Sequence, residues 1–212
     1  MTNISQGPRL LKGAIVAVDP LNPPPTVILF QYNPDTLSRT LRPRTVGSDA
    51  DPGDALRLKG PPEETLKLDI EVDATDQLEQ AKPPATKMGV HPTLAALEVL
   101  LYPPASTVIA NQALMALGVI EIVPPAMPLT LLVWGAKRIV PVRITDLTIT
   151  EDAFDAALNP IRARASLGLR VLTYDDLGLA SAGGALFMAH QVTKEVMARV
   201  GAGDIAALGP LF

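Results

Sequence analysis

Residues 28–41 read ILFQYNPDTLSRTL, and this segment places the strongest constraint on the architecture. It opens as an apolar strand, turns at Asn33-Pro34-Asp35, and continues as a mostly polar segment that carries two leucines. A residue before proline is restricted to extended geometry, and proline itself presets φ for a turn. The sequence therefore predicts two strands of different polarity joined by a rigid corner.

The clearest strand signal lies at residues 64–74, ETLKLDIEVDA. Apolar and charged residues alternate strictly there, which is typical of a strand with one buried and one wet face. The apolar positions are Leu66, Leu68, Ile70 and Val72, and the charged positions are Lys67, Asp69, Glu71 and Asp73. Residues 10–18 and 26–33 are further apolar strands, whereas residues 42–60 are predicted to form a long loop.

Two helices are indicated. Residues 89–104 begin with Pro92 in the first turn and carry a stripe of Leu94, Leu97 and Leu101. Residues 186–200 form an amphipathic helix whose apolar points are Phe187, Val192 and Val196, with His190 on its solvated side. Residues 105–120 are too continuously apolar for periodicity to separate a helix from a loop.

Residues 128–151 predict a hairpin that turns at Gly135-Ala136-Lys137. In the returning strand the apolar positions change parity, and a β-bulge near Thr145 would reconcile them. Pro141 lies within that strand, which favours an edge or irregular position because proline cannot donate to a ladder.

Residues 154–174 predict another strand, with an alanine- and leucine-lined face opposite a row of Arg162, Arg164 and Arg170. Like charges on one strand repel each other unless they are neutralised. The row is either a solvated face or the partner of the acidic row Asp69, Glu71 and Asp73, on a neighbouring strand or a neighbouring subunit.

The composition excludes several classes of protein. A formal net charge of −4 argues against nucleic-acid binding. The absence of cysteine excludes disulfides, thiol catalysis and cysteine-ligated zinc. No window approaches 18 apolar residues, and the short apolar run near the N-terminus does not make a signal peptide, so we expect a cytoplasmic protein without membrane insertion. A hydrophobic content of 48% suggests apolar surface hidden against other subunits.

Catalytic signatures are sparse. His91 and His190 are the only histidines, and no Gly-x-Ser-x-Gly motif is present. We therefore expect no catalytic residues, no cofactor and no metal. One enzymatic alternative remains: a small β-barrel hydrolase with an acidic site at Asp69, Glu71 and Asp73. A carbohydrate-binding module is the weakest reading, because Trp134 stands almost alone as an aromatic for stacking on sugars.

Four segments together resemble the tube-like baseplate adaptor proteins of contractile injection systems, which are phage-tail-like machines. In order, they are FQYNPDTLSRTL, GPPEETLKLDIEVDATD, GVHPTLAALEVLLYP and PLTLLVWGAKRIVPVRITDLTITEDAFDAALNPIRARASLGLRV. The resemblance covers about residues 10–175. Many members of that family carry a C-terminal lysin-motif domain, and we expect this chain to be the form without it.

The resemblance implies an α+β, mainly β fold: a tail-tube-like antiparallel β-sandwich or barrel with one packed helix and a C-terminal helix. The tube-like domain would span residues 8–178, and residues 179–212 would form the C-terminal helix and an apolar tail. Family members form rings, usually hexameric, around a central channel. Their ring stacks between the inner tube and the spike or hub protein of the baseplate.

The resemblance thus implies a structural adaptor ring that is not an enzyme and is assembled into a phage-tail-like particle. A tube-initiator ring or a ring at the cap-proximal tube end is the alternative within the same machine. In either case, the Asn33-Pro34 corner would leave the core and reach a neighbour. The expected interface residues are Phe30, Tyr32, Asn33, Pro34, Arg39, Asp69, Glu71, Asp73, Trp134, Arg162, Arg164 and Arg170.

Overall fold

The structure is a computed structural model that describes residues 11–19, 24–45, 57–118 and 127–202. The strands are β1 (Ala14–Val18), β2 (Thr26–Leu29), β3 (Leu37–Arg42), β4 (Glu63–Asp73), β5 (Leu129–Val133), β6 (Ile139–Phe154) and β7 (Pro160–Val171). The helices are α1 (Thr75–Glu79), α2 (Ala85–Met88), α3 (His91–Glu98), α4 (Ala105–Ala116), α5 (Tyr174–Leu177) and α6 (Ala182–Gly201), and a 3₁₀ turn at Val99–Leu101 extends α3. The expectation of an α+β, mainly β protein is confirmed.

The described strands form one antiparallel sheet in the order β2-β1-β5-β6-β7-β4-β3. The two edge strands, β2 and β3, are consecutive in the chain and are joined by residues 30–36. Five strand spacings separate β2 from β4 in this order, which would be roughly 24 Å in a flat sheet. The Gln31 side chain, just beyond β2, nevertheless hydrogen-bonds to the backbone of Asp73 at the end of β4, so the sheet curls on itself. Of the sandwich and barrel forms, it corresponds to the barrel.

The core lies inside this curl. One hydrophobic cluster joins Ile28 of β2, Leu132 of β5, Leu167 of β7 and Leu66 of β4, all buried. The α3 region contributes Leu97 and Leu100 to the cluster, and α6 contributes Phe187. A smaller cluster at one end of the sheet packs Val90 and Leu94 against Val72 and Ala163. The helices therefore cover both a side and an end of the curled sheet.

The alternation in β4 is confirmed: Leu66, Leu68, Ile70 and Val72 are buried, and Lys67, Asp69 and Glu71 are exposed. The bulge is also confirmed, because the register between β6 and β7 shifts between Ile144 and Asp146. The edge position expected of Pro141 is wrong, since β6 lies between β5 and β7. Proline has no backbone N–H, but Pro141 lies where the pairing between β6 and β7 ends, so no hydrogen bond of that ladder is lost. Its carbonyl accepts a hydrogen bond from Leu172 N–H, just beyond β7.

The helices depart from expectation at three points. In the α3 region Leu94 and Leu97 are buried as expected, but Leu100 replaces Leu101, which is 40% exposed, because the 3₁₀ turn rotates the stripe. Residues 105–116 form helix α4. In α6, Phe187 is buried, whereas Val192 and Val196 lie on the exposed side. Residues 46–56 of the expected loop and residues 203–212 of the expected tail lie outside the described residues.

Candidate functional site at the seam of the curled sheet

The corner at residues 30–36 is attached to the sheet by two side-chain amides. Gln31 Nε2 donates to the carbonyl of Asp73 at 2.8 Å, and Asp73 N–H donates to Gln31 Oε1 at 2.9 Å. Asn33 Nδ2 donates to the carbonyl of Leu11 at 2.8 Å, and Gly13 N–H donates to Asn33 Oδ1 at 2.9 Å. Each amide pairs with backbone as another peptide group would, so the corner bridges the gap between β1 and β4.

Phe30 anchors the corner from inside. Its side chain is fully buried, and its ring lies 6.3 Å from that of the half-buried Trp134. Its backbone N–H donates to the carbonyl of Gly13 at 2.9 Å. A Cβ on Gly13 would lie 2.6 Å from Phe30 Cδ2, so only glycine fits there. Phe30 is therefore a core residue, and burial removes it from the expected interface.

The exposed part of the corner borders a polar cleft of about 350 Å³. On one side lie Tyr32 and Asn33, both exposed, with the half-buried Pro34. Asp69 and Glu71 of β4 form the other side, together with Arg164 of β7. The cleft thus brings the predicted corner and part of the two predicted charged rows to one place.

The acidic and arginine rows meet within one chain. Register pairs Asp73 with Arg162, Glu71 with Arg164 and Asp69 with Ser166 across β4 and β7. Arg162 Nε lies 2.9 Å from Asp73 Oδ2, and Arg164 Nη2 lies 2.7 Å from Glu71 Oε1. Ser166 Oγ donates to Asp69 Oδ1 at 2.6 Å. Of the partners considered from sequence, the structure selects the neighbouring strand.

The charges of this ladder are reinforced by their contacts. Burial raises the pKa of Asp73, but hydrogen bonds from Thr75 and Arg162 outweigh it and leave that pKa below its usual value. The hydrogen bond and charge of Glu71 raise the pKa of Arg164. Asp73 is consequently an anion at neutral pH, and it does not hold the proton that a general acid must donate.

Arg170 lies apart from this ladder. Its Nη2 is 2.8 Å from Asp176 Oδ1, and its Nε is 3.7 Å from Glu63 Oε1. Arg39 of β3 contacts Glu64, whose side chain is only 7% exposed, at 3.6 Å, and Lys194 of α6 reaches the same carboxylate at 2.9 Å. Arg170 therefore connects β7 to α5, whereas Arg39 of β3 is linked to α6 only through the shared carboxylate of Glu64.

A second cleft, of about 520 Å³, lies where α6 faces β3 and residues 58–62. His190 lines it but is only 7% exposed, so the expectation of a solvated histidine is wrong. Burial and the charge of Lys194 lower the pKa of His190. Its Nδ1 has no hydrogen-bond partner among the described residues. Histidine thus serves here as a neutral packing residue where α6 meets the sheet.

Two further findings concern metals and membranes. Among the described residues, no three histidine or carboxylate side chains are grouped so that they could hold a metal ion. No single described helix is long and apolar enough to cross a bilayer, although His91–Leu101 and Ala105–Ala116 together reach that length and composition with a bend of 42°.

Sequence patterns located the corner and both charged rows, but not the residues that fix them in place. The attachment of Gln31 to Asp73 is invisible in the sequence, because a lone glutamine carries no pattern that names a partner 42 residues away. Gly13 is another such residue. Its position before an apolar strand is the only signal, and its necessity depends on Phe30 arriving from another strand.

No protein-family model matches the chain, and no curated protein matches it. Among solved structures, the chain aligns with one from the tail of an empty GTA particle, computed with helical refinement and C6 symmetry. The alignment covers 75% of this chain and 90% of that chain, at 12% sequence identity and a TM-score of 0.30. A likeness of this size establishes neither a shared fold nor a shared function.

Proposed function

We propose that this protein is a structural ring component of a phage-tail-like contractile injection system. In its most specific form, it is an adaptor ring that joins the inner tube to the hub and spike of the baseplate. A ring at the start or at the cap-proximal end of the tube is the alternative position. Its role is mechanical, and six copies per ring is the expected stoichiometry.

One observation carries this proposal. Three of the four segments that resemble the adaptor family contribute strands to a single curled antiparallel sheet, and the fourth forms α3, which packs against the core of that sheet. The family resemblance implies a tube-like domain of this type. The order of the four segments in the sequence and the curled antiparallel sheet that the structure shows both agree with such a domain, which supports a structural role in a tube.

The seam offers the surface for ring contacts. Tyr32 is 51% exposed, and Pro34 lines the same cleft on the segment that joins the two sheet edges, while Arg39 follows in the edge strand β3. Arg162 and Arg164 keep side-chain exposures of 60% and 61% despite their ion pairs. Each guanidinium has further donors with which to meet a carboxylate of a neighbouring copy. Such contacts would set the register between copies.

The hydrolase alternative is less well supported. Asp69, Glu71 and Asp73 are each engaged by a β7 side chain, and the lowered pKa of Asp73 favours its charged form. A general acid needs a raised pKa at its working pH. The acidic row is better explained as one half of an inter-strand ladder than as a catalytic pair.

The test is to co-express the chain with the proteins encoded beside it and to measure the mass and shape of the purified complex. We expect annular particles in negative stain, together with tube or spike proteins that remain bound in stoichiometric amounts. The matched control is Gln77→Ala, at an exposed position on α1 away from the seam, which should leave assembly intact. A chain that stays single with these proteins present, or a hydrolytic activity abolished by Asp69→Asn, would refute the proposal.

A further inference from the structure

Helix α6 has two apolar faces. The inner face carries Phe187, which is buried in the core of the sheet. On the opposite side lies an outer stripe of exposed residues at spacings of four, three, four and four, namely Ala185, Ala189, Val192, Val196 and Val200. Val192, Val196 and Val200 are 51%, 55% and 85% exposed. A surface helix normally presents polar residues on its outer face, so this stripe indicates a second packing partner.

Helix α4 is the second uncovered element. None of its residues is buried, and none is charged. Its exposed apolar side chains include Val108, Ile109 and Met115, at 44%, 69% and 55%. An isolated helix of about 12 residues is marginal in water, and most helical stability in proteins comes from packing an apolar face against a partner. The exposed apolar side chains of α4 therefore also lack a covering partner among the residues that the structure describes.

We infer that α4 of one copy packs along the outer stripe of α6 in the next copy. The lengths agree, because the stripe extends over about 22 Å and α4 over about 18 Å at the rise of an α-helix. Ala185 and Ala189 leave room for close approach at one end of the stripe. Neither surface carries a charge, so the contact is apolar and lacks ion pairs that salt would screen.

Pairing α4 with α6, instead of α6 with itself, follows from what each arrangement covers. An α6–α6 contact is isologous, and it would leave α4 exposed on both copies. An α4–α6 contact covers both faces at once, and in the head-to-tail arrangement that a ring requires it is heterologous, so it repeats from copy to copy. The inference rests on the proposed ring, because the contact repeats around it. The ring itself does not depend on the α4–α6 contact, since other surfaces could join the copies.

The cysteine-free sequence makes the contact directly measurable. Single variants Ile109→Cys and Val196→Cys are purified separately, mixed as single copies, assembled together and then oxidised. We expect a disulfide-linked pair that contains one copy of each variant. Gln77→Cys, at an exposed position on α1, is the matched control and should not link to Val196→Cys. Efficient linkage of Val196→Cys to itself would overturn the inference in favour of an α6–α6 contact.

A second measurement separates this inference from the ring itself. Val196→Asp and Ile109→Asp should each raise the concentration needed for assembly by about tenfold or more, whereas Gln77→Asp should not. Circular dichroism verifies that each variant is folded. Rings that form normally from Val196→Asp would overturn the α4–α6 contact and leave the proposed ring standing. Single copies that float with phosphatidylcholine–phosphatidylglycerol vesicles, and lose this with Ile109→Asp, would assign α4 to a lipid surface instead.

Discussion

Gln31 and Asp73 exchange two hydrogen bonds, of 2.8 and 2.9 Å, between a side-chain amide and a backbone peptide group. They connect the chain just beyond β2 to the end of β4, two strands that the sheet order keeps five places apart. This pair therefore holds the curl together at a place where β3 no longer runs beside β4, since their pairing ends at Leu68.

Replacing Gln31 tests that role. Gln31→Leu removes both hydrogen bonds and leaves the Asp73 N–H and carbonyl without partners, so we expect a loss of about 1–3 kcal/mol in the free energy of unfolding. Urea denaturation followed by circular dichroism measures it. Gln77→Leu, at an exposed position on α1, is the control and should stay within about 0.5 kcal/mol of the parent. Equal stability of the two variants would show that the amide pair does not hold the seam.

Gly13→Ala tests the close contact beneath the corner. The added Cβ would lie 2.6 Å from Phe30 Cδ2 and 3.2 Å from Trp134 Cε3, so two packed rings would have to move. We expect a loss of about 1–3 kcal/mol, as for other overpacked cores. Gly201→Ala meets nothing within 4 Å and serves as the control. Adding Phe30→Leu to Gly13→Ala should give less than the sum of the two losses, because both act on one contact.

Gly168→Ala tests the bulge in β6. A Cβ on Gly168 would collide with the carboxylate of Asp146, which the register shift places opposite it. Thermal denaturation should show that Gly168→Ala lowers the melting temperature. Adding Asp146→Ala to the same chain should restore most of the lost stability. A Gly168→Ala protein that melts like the parent would mean that Asp146 turns away without penalty.

The lowered pKa of Asp73 predicts a specific acid dependence. The unfolded chain takes up this proton near the ordinary value of 3.8, before the folded chain does. The stability contributed by the ionised carboxylate is therefore complete above that pH, and it is lost as pH falls through the lower folded pKa. Asp73→Asn should reduce the dependence of the free energy of unfolding on pH in this range only slightly, because the Arg162 side chain is 60% exposed and solvent weakens the ion pair. Asp35→Asn, at an exposed corner position, is the control.

The lowered pKa of His190 predicts that stability also depends on pH in a less acidic range. Its pKa is lowered from 6.5 in the folded chain, foremost by burial, so the unfolded chain binds the proton more readily. Stability should therefore decrease as pH falls below about 6.5 toward the folded value. His190→Gln should remove this slope, and the exposed His91→Gln should keep it. If stability depended on pH equally in both variants, a group other than His190 would be responsible.

The sequence predicted those features whose cause is local. The alternation in β4 names its buried face directly, and the parity change around Thr145 located a bulge because a strand can reverse its faces only by gaining a residue. The ladder of Asp73 with Arg162 was predicted as charge complementarity, but the sequence left open whether the partner lies on a neighbouring strand or in a neighbouring subunit. Its register depends on which strands become neighbours.

Other features depend on tertiary contacts and left no periodic signal. Periodicity indicated one apolar face for α6, but Phe187 and Val196 lie on opposite sides of it. Residues 105–116 form a helix that periodicity did not indicate, because apolar residues occur on all its sides and leave no clear contrast between two faces. The role of Gln31 depends on the curl of the sheet, which brings the end of β4 beside residue 31, and no local sequence pattern indicates that curl.

The attachment of residues 30–36 has a mechanical consequence. At Gln31 and Asn33 the wall is held by two side-chain amides, whereas β4 and β7 are joined by a ladder that runs from Thr65 to Asp73. Parting those two amides would let the circumference grow at one line while every strand keeps its partners. Opening the wall there would break the four hydrogen bonds of the two amides but no strand pairing, so the circumference of the curled sheet is least constrained at the corner.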